Sequence, residues 1–444
     1  MTEVIEQTEN KKGYKKTKLG WIPEEWDILK FKEMYNFLST GSNSRNELNS
    51  TGEYLYIHYG DIHCKYKNIL NCSKIEIPHI NKDKVRNLPE LKDKDLIFVD
   101  ASEDYEGITK CTEIKNVNNR KIVSGLHTLL LRPKKDISPG YGGYIASNPI
   151  VNKNIKKMAN GWKVYGISKD NLSKIFFVLP GKKEQEKIVE ILSVWDDGIE
   201  TLEKLIEQKE IFHKALMKNL LIGKIRLSEF GKNIEYKRTK LGPIPVDWQL
   251  KPLKLLFDKR MQKYSGNTEH NIFTNSATKG VVLQNEYFDR SIVTEENASN
   301  YYIVGENDFM YNPRISQNAP AGPINRNKLG ITGIASPLYT IFKAKHDTIV
   351  DFYEQYFSSN LWNNSMFMVA NQGARHDRLN ITNNDFMNMP LPYPPLKEQE
   401  KIANVLIESY KEIQILNSKL EKLKEQKKGL MQKLLTGKIR VKIS

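Results

Sequence analysis

The sequence predicts an α+β protein built twice over. Two globular domains are joined by two long antiparallel helices forming a coiled coil, with a pseudo-twofold duplication relating the halves. Three repeated motifs and one periodicity carry this expectation. Lys15–Trp26, KKTKLGWIPEEW, returns as Lys237–Trp248, KRTKLGPIPVDW. Lys183–Ile188, KEQEKI, returns unchanged as Lys397–Ile402. Met217–Arg226, MKNLLIGKIR, returns as Met431–Arg440, MQKLLTGKIR. The first pair is offset by 240 − 18 = 222 residues, half of the 444-residue chain, and the other two by 397 − 183 = 214. Solenoid units run roughly 20–50 residues, so a period of this size means duplicated domains.

The chain divides accordingly. Residues 1–180 form the first domain with its opening motif, and 181–223 the first helix. Residues 224–393 form the second domain, and 394–444 the second helix with a tail. Within the first domain, Leu96–Val99, Thr128–Leu131 and Ile175–Leu179 read as strands, being short and bounded by polar or turn residues. In the second, Tyr301–Val304, Phe309–Tyr311 and Leu338–Phe342 look similar, and Asp351–Trp362 looks helical. A faint correspondence links the two. Ser124–Leu130 aligns with Ser336–Phe342 at an offset of 336 − 124 = 212, and Gly161 matches Gly373 at the same offset.

The helices show a heptad seam. Apolar residues fall at alternating steps of four and three: Ile188, Leu192, Trp195, Ile199, Leu202, Ile206, then Leu216 and Leu220, with Lys209 and His213 between. The second copy runs Ile402, Leu406, Ser409, Ile413, Leu416, Leu420, Leu423, Lys427, Leu430 and Leu434. This 3.5-residue period lets two helices wrap around each other. Pro180 and Pro394–Pro395 stand before the starts, and Gly223 and Gly437 follow the ends. From Lys183 to Leu221, 39 residues would span about 58 Å at about 1.5 Å each. Polar seam residues fix register at some expense of stability, and Lys209, His213 and Lys427 are placed to do so. The two seams most simply pair within the chain; pairing with another subunit is the alternative.

Composition narrows the partner. A formal charge of +15 and a pI near 9.3 favour polyanions, because surface Lys and Arg release condensed counterions from phosphates. The N-terminus is polar and no apolar run approaches bilayer length. Three cysteines in so long a chain argue against a disulfide framework. The expectation is a cytoplasmic chain without membrane attachment.

Catalytic motifs are incomplete. Asn312-Pro-Arg-Ile315 begins like the loop that holds a base for methyl transfer, then lacks the second proline and the aromatic residue. Asp100 with Glu113 and Lys115 can be drawn as a nuclease set, but such spacings arise easily in a chain with 27% charged residues. No GxxxxGK[ST] loop occurs. His63, Cys64, Cys72 and His79 match none of the usual zinc spacings. The sequence therefore assigns no catalytic residue and no metal.

Contact residues are sought in the unlike inserts. The loop Asn371–Arg378 offers Gln372, Arg375, His376 and Arg378 around a glycine, side chains suited to base edges and phosphates. Its first-domain counterpart, Asn160–Tyr165, offers Lys163 and Tyr165. Arg314, Ser316 and Arg326 form a further group with Lys328. Lys65, Lys67, Arg120 and Lys121 are the comparable first-domain set. Any one of them could equally be a solvated surface charge.

The chain resembles the specificity subunit of a Type I restriction-modification enzyme. The likeness rests on KxTxLGxIPxxW before each insert, PPLKEQEKI opening the second helix and LLTGKIR closing it. The first copy departs at Gly181-Lys182, where the second has Pro395-Leu396. The resemblance implies that each insert is a target recognition domain reading one half of a split sequence in double-stranded DNA. It implies that the helices are spacer and docking surface for two methyltransferase (modification) subunits, which motor-nuclease (restriction) subunits join. The chain would then be a non-catalytic part of a restriction endonuclease and adenine methyltransferase. S-adenosylmethionine, ATP and magnesium would bind the partner subunits, with no cofactor in this chain. Two other readings stand beside it: a non-enzymatic protein scaffold with duplicated interaction modules, and an RNA-binding protein.

Overall fold

The computed structural model describes residues 12–231, 235–265, 271–287, 298–370 and 377–443. It separates into two compact units, Met1–Glu203 with Lys419–Ser444, and Lys204–Ser418. The long helices span Lys182–Leu220 and Leu396–Leu434, each 39 residues. Each unit therefore contains part of both helices.

In the first unit the opening motif folds as a hairpin, Tyr14–Thr17 against Gly20–Pro23. Gly20 turns it with φ +95°, a conformation that disfavours any side chain. Asp27–Lys30 then pairs antiparallel with Phe176–Leu179, bringing the two ends of the insert together. Between them a five-stranded sheet runs in the order Tyr35–Leu38, Thr128–Pro133, Leu96–Val99, Cys111–Lys115, Ile69–Asn71. A second sheet pairs Ile122–Ser124 in parallel with Tyr54–Ile57, which also pairs with His79–Ile80. The core is apolar and aromatic, with Phe31, Tyr35, Phe98 and Phe177 packed together and buried.

The second unit repeats the plan. Its hairpin is Tyr236–Thr239 against Gly242–Pro245, and Gln249–Pro252 pairs with Pro390–Tyr393. One sheet runs Phe257–Lys259, Thr340–Ala344, Phe309–Tyr311, Ile324–Arg326. The other pairs Asn271–Ser276 in parallel with Gly333–Ala335. Phe257, Phe309, Phe342 and Phe357 form its aromatic centre, ring centroids 5.3–6.1 Å apart. Two expected elements are shifted. The strand expected at Leu338–Phe342 is Thr340–Ala344. The helix expected over Asp351–Trp362 is Val350–Ser358. There Ser358 and Ser359 hydroxyls bond the carbonyls of Gln355 and Tyr356, which competes with continuing the ladder.

The seam holds throughout. Every seam position named above, from Ile188 to Leu220 and from Ile402 to Leu434, is buried or half-buried. Each fully buried aliphatic side chain contributes roughly 1.5–3 kcal/mol. The helices pair antiparallel within each unit. In the first, Lys427 reaches Asp196 at 2.5 Å and Lys424 reaches Glu203 at 3.1 Å. In the second, Lys209 reaches Glu412 at 2.7 Å and His213 Nδ1 lies 3.1 Å from Ser409 Oγ. The polar seam residues thus have partners on the facing helix. Burial lowers the His213 pKa.

Candidate nucleic-acid interface

The repeated motifs converge on one another within each unit. In the second unit Glu398 of KEQEKI is buried and accepts from Trp248 Nε1 at 3.0 Å and from Arg226 Nε and Nη2 at 2.7 and 2.6 Å. The first unit repeats this with Glu184, Trp26 Nε1 at 2.8 Å and Arg440 at 2.7 and 3.0 Å. Gln185 and Gln399 donate to the carbonyls of Pro180 and Pro394 at 2.7 and 2.8 Å, fastening the helix starts. Gly223 and Gly437, at φ +68° and +70°, pack so closely on Pro245 and Pro23 that a Cβ would stand 2.5 Å from the proline ring. The motifs are structural joints within each unit.

Most sequence-chosen cations have intrachain partners. Arg326 is held by Asp351 and Glu354 and by Asn307 Oδ1, and its side chain is only 15% exposed. Arg120 donates to the Cys72 carbonyl. Lys67 pairs with Glu200 and Glu203 at 3.5 Å, and Lys65 with buried Asp61 at 3.4 Å. Lys121 lies over the Tyr54 ring, and Lys328 pairs with Glu354. Gln372, Arg375 and His376 fall outside the described residues.

Arg314, Ser316 and Arg378 do come together. They line a cleft of about 320 Å³ with Asn312, Tyr339 and Ser276. Arg314 and Arg378 form a β-bridge, and both stand 3.9 Å from the one carboxylate of Asp377. Asn312 is spent on structure: it donates to the Asn275 carbonyl and accepts from Arg314 N. Arg314 is 68% exposed at the rim. A polar cleft edged by two guanidiniums can take a phosphate or the acceptor edge of guanine.

The first unit places a different set at the matching strand ends. Thr128 pairs with Val99, and Thr340 with Tyr311, the same 212 apart in both strands. His127 and Asp100 therefore stand where Tyr339 and Asn312 stand. Tyr165 pairs with Ser102, much as Arg378 bridges Arg314. His127 Nδ1 lies 3.1 Å from Asp100 Oδ1. The Tyr59 ring sits among His58, His63 and His127, centroids 4.5, 5.9 and 5.1 Å away. His58 is buried, and burial first and Arg45 second lower its pKa. Beyond Tyr165, whose ring is tilted against that of Tyr105 at 4.0 Å, a hairpin tip closed by the Asn160–Gly166 bridge carries exposed Lys163 and fully exposed Trp162. Sequence reasoning missed His58, Tyr59, His127 and Tyr339. Strand register relates His127 to Tyr339, for which the 212-residue offset was the available signal, whereas His58 and Tyr59 emerge only from their ring contacts.

Glu113 and Asp100 have separate hydrogen-bond partners. Glu113 is buried and accepts from Gly140 N and Gly143 N at 2.5 and 3.2 Å, whereas Asp100 faces His127. Burial pushes the Glu113 carboxyl up to about 7 against these hydrogen bonds. Among the described residues no group of three metal-ligating side chains occurs, and no helix is long and apolar enough to cross a membrane.

Known proteins share this organisation. The family described as Type I restriction modification DNA specificity domain matches residues 23–210 and 245–425. The specificity subunit of the type I restriction enzyme MjaX of Methanocaldococcus jannaschii is 26% identical over 466 residues, covering 99% of each chain. That of MjaVIII from the same organism is 25% identical, covering 95% of this chain and 94% of its own. Two solved chains share the fold. One is the type I restriction-modification S subunit from M. genitalium, with TM-score 0.50 and 12% identity over 92% of this chain and 96% of its own. The other comes from work on complex assembly and conformational transition of the type I R-M system, with TM-score 0.56 and 13% identity over 94% and 99%. With both halves matched by one family, the chain belongs to the Type I restriction modification DNA specificity family.

Proposed function

We propose that this chain sets the bipartite DNA target of a Type I restriction-modification complex, one half-site per unit. The observation that carries this reading is the repeated sheet frame with unlike side chains at matching strand ends. Such a pair of frames suits two ligands of one class that differ in sequence. The long helices serve as spacer and as docking surface for two methyltransferase subunits, which motor-nuclease subunits join. S-adenosylmethionine, ATP and magnesium bind those partners, and this chain contributes recognition and no chemical step. The +15 charge supports a polyanionic ligand.

The test is an exchange of residues 250–392 for the same stretch of a relative, followed by methylome sequencing of cells carrying the complex. One half of the methylated target should change and the other persist. A change in both halves, or in neither, would sink the assignment of one half-site to each unit.

A further inference from the structure

The two strand ends that match in register differ in what they can accept or donate, and this difference is chemically specific. In the first unit the Asp100 amide donates to the His127 carbonyl at 3.1 Å, while His127 Nδ1 meets the Asp100 carboxylate at 3.1 Å. A carboxylate only accepts, so Nδ1 carries the hydrogen. In its neutral form the ring then presents Nε2 as a lone-pair acceptor. The Tyr59 ring meets the imidazole edge-on at 5.1 Å and braces it. His127 is 47% exposed and holds φ +54°. Non-glycine residues enter that region at a cost, and such residues gather at ligand clamps.

In the second unit the equivalent Tyr339 hydroxyl lies 3.1 Å from Thr274 Oγ1 and can donate or accept. Exposed Arg314, which only donates, stands beside it in the same cleft. The two heads thus differ at one shared position: a ring nitrogen that accepts in the first, and in the second a hydroxyl that donates or accepts.

Resting on the reading of function above, we propose that His127, oriented by Asp100, is a specificity-determining residue of the first half-site. Its Nε2 accepts from the exocyclic amino group of adenine or cytosine, the donors that duplex DNA presents in the major groove. Tyr339, with Arg314, occupies the corresponding reading position of the second half-site.

The test uses the full chain co-expressed with its methylating subunits, read by methylome sequencing. A second readout is selection of bound duplexes from a randomised pool. His127→Asn keeps a residue that tolerates positive φ. It should lower discrimination at one base pair of the first half-site roughly 5- to 150-fold. Asp100→Asn leaves the His127 side chain in place but frees its tautomer, and should relax the same base pair. Tyr339→Phe should alter only the second half-site. Unchanged preference in both His127→Asn and Asp100→Asn, in complexes that assemble, overturns the assignment. A wild-type complex without any bipartite preference would overturn the parent reading and this inference together, and is told apart by that control.

Discussion

Arg226 and Glu398 lie 172 positions apart in sequence and 2.6 Å apart in space, one from the close of the first repeat and the other from the helix start of the second. Their counterparts Arg440 and Glu184 do the same across 256 positions. The closing motif of each copy is therefore locked to the opening motif and helix start of the other copy. This accounts for three motifs repeating together while the inserts between them diverge.

Removing one partner of a buried pair leaves the other charge unmatched, at about 3–5 kcal/mol where burial is complete. Arg226 is 7% exposed and Arg440 32%. Arg226→Ala should approach that range, and Arg440→Ala should fall below it because water reaches the site. Chemical denaturation of the two variants checks the order. Equal, small losses would mean that the tryptophan hydrogen bond alone satisfies each glutamate.

Glu113 gives the first unit a pH response. Its folded pKa is raised to about 7, against about 4.3 in an unfolded chain. Between these values the folded state binds the extra proton, so stability falls as pH rises through this window. His58, lowered by burial, acts in the opposite sense, so the variant comparison is the clean one. Unfolding of the wild type against Glu113→Gln from pH 5 to pH 8 should differ by a slope of up to about 1.4 kcal/mol per pH unit. Parallel curves would show that Glu113 does not titrate there.

Trp162 is fully exposed at a hairpin tip beside Lys163. Substitution on so open a site should leave folding stability within about 0.5 kcal/mol. If the ring packs against the duplex, Trp162→Ala should weaken DNA binding by the assembled complex at unchanged folding stability. Anisotropy titration with a labelled duplex checks this. Full affinity in the variant would remove the tip from the DNA interface.

The duplication, the heptad seam and the strands at Leu96–Val99 and Phe309–Tyr311 were legible in the sequence. Each is encoded locally, by motif identity, by a 3.5-residue period or by a short apolar run between turns. The seam positions could be named one by one because a helix repeats its environment every few residues. Contacts at long separation were not legible. Trp26 with Glu184 and Arg440, or His127 with Asp100 and Tyr59, depend on strand register and on which chain segments close each unit. Charge and composition pointed to Arg326, Arg120 and Lys67 as contacts; their acidic and carbonyl partners became visible in the fold. Motif and period alone carry the duplicated architecture, and the net charge favours a polyanionic partner. Which side chains stand together at the strand ends depends on the folded register, because a one-residue change turns every side chain to the opposite face.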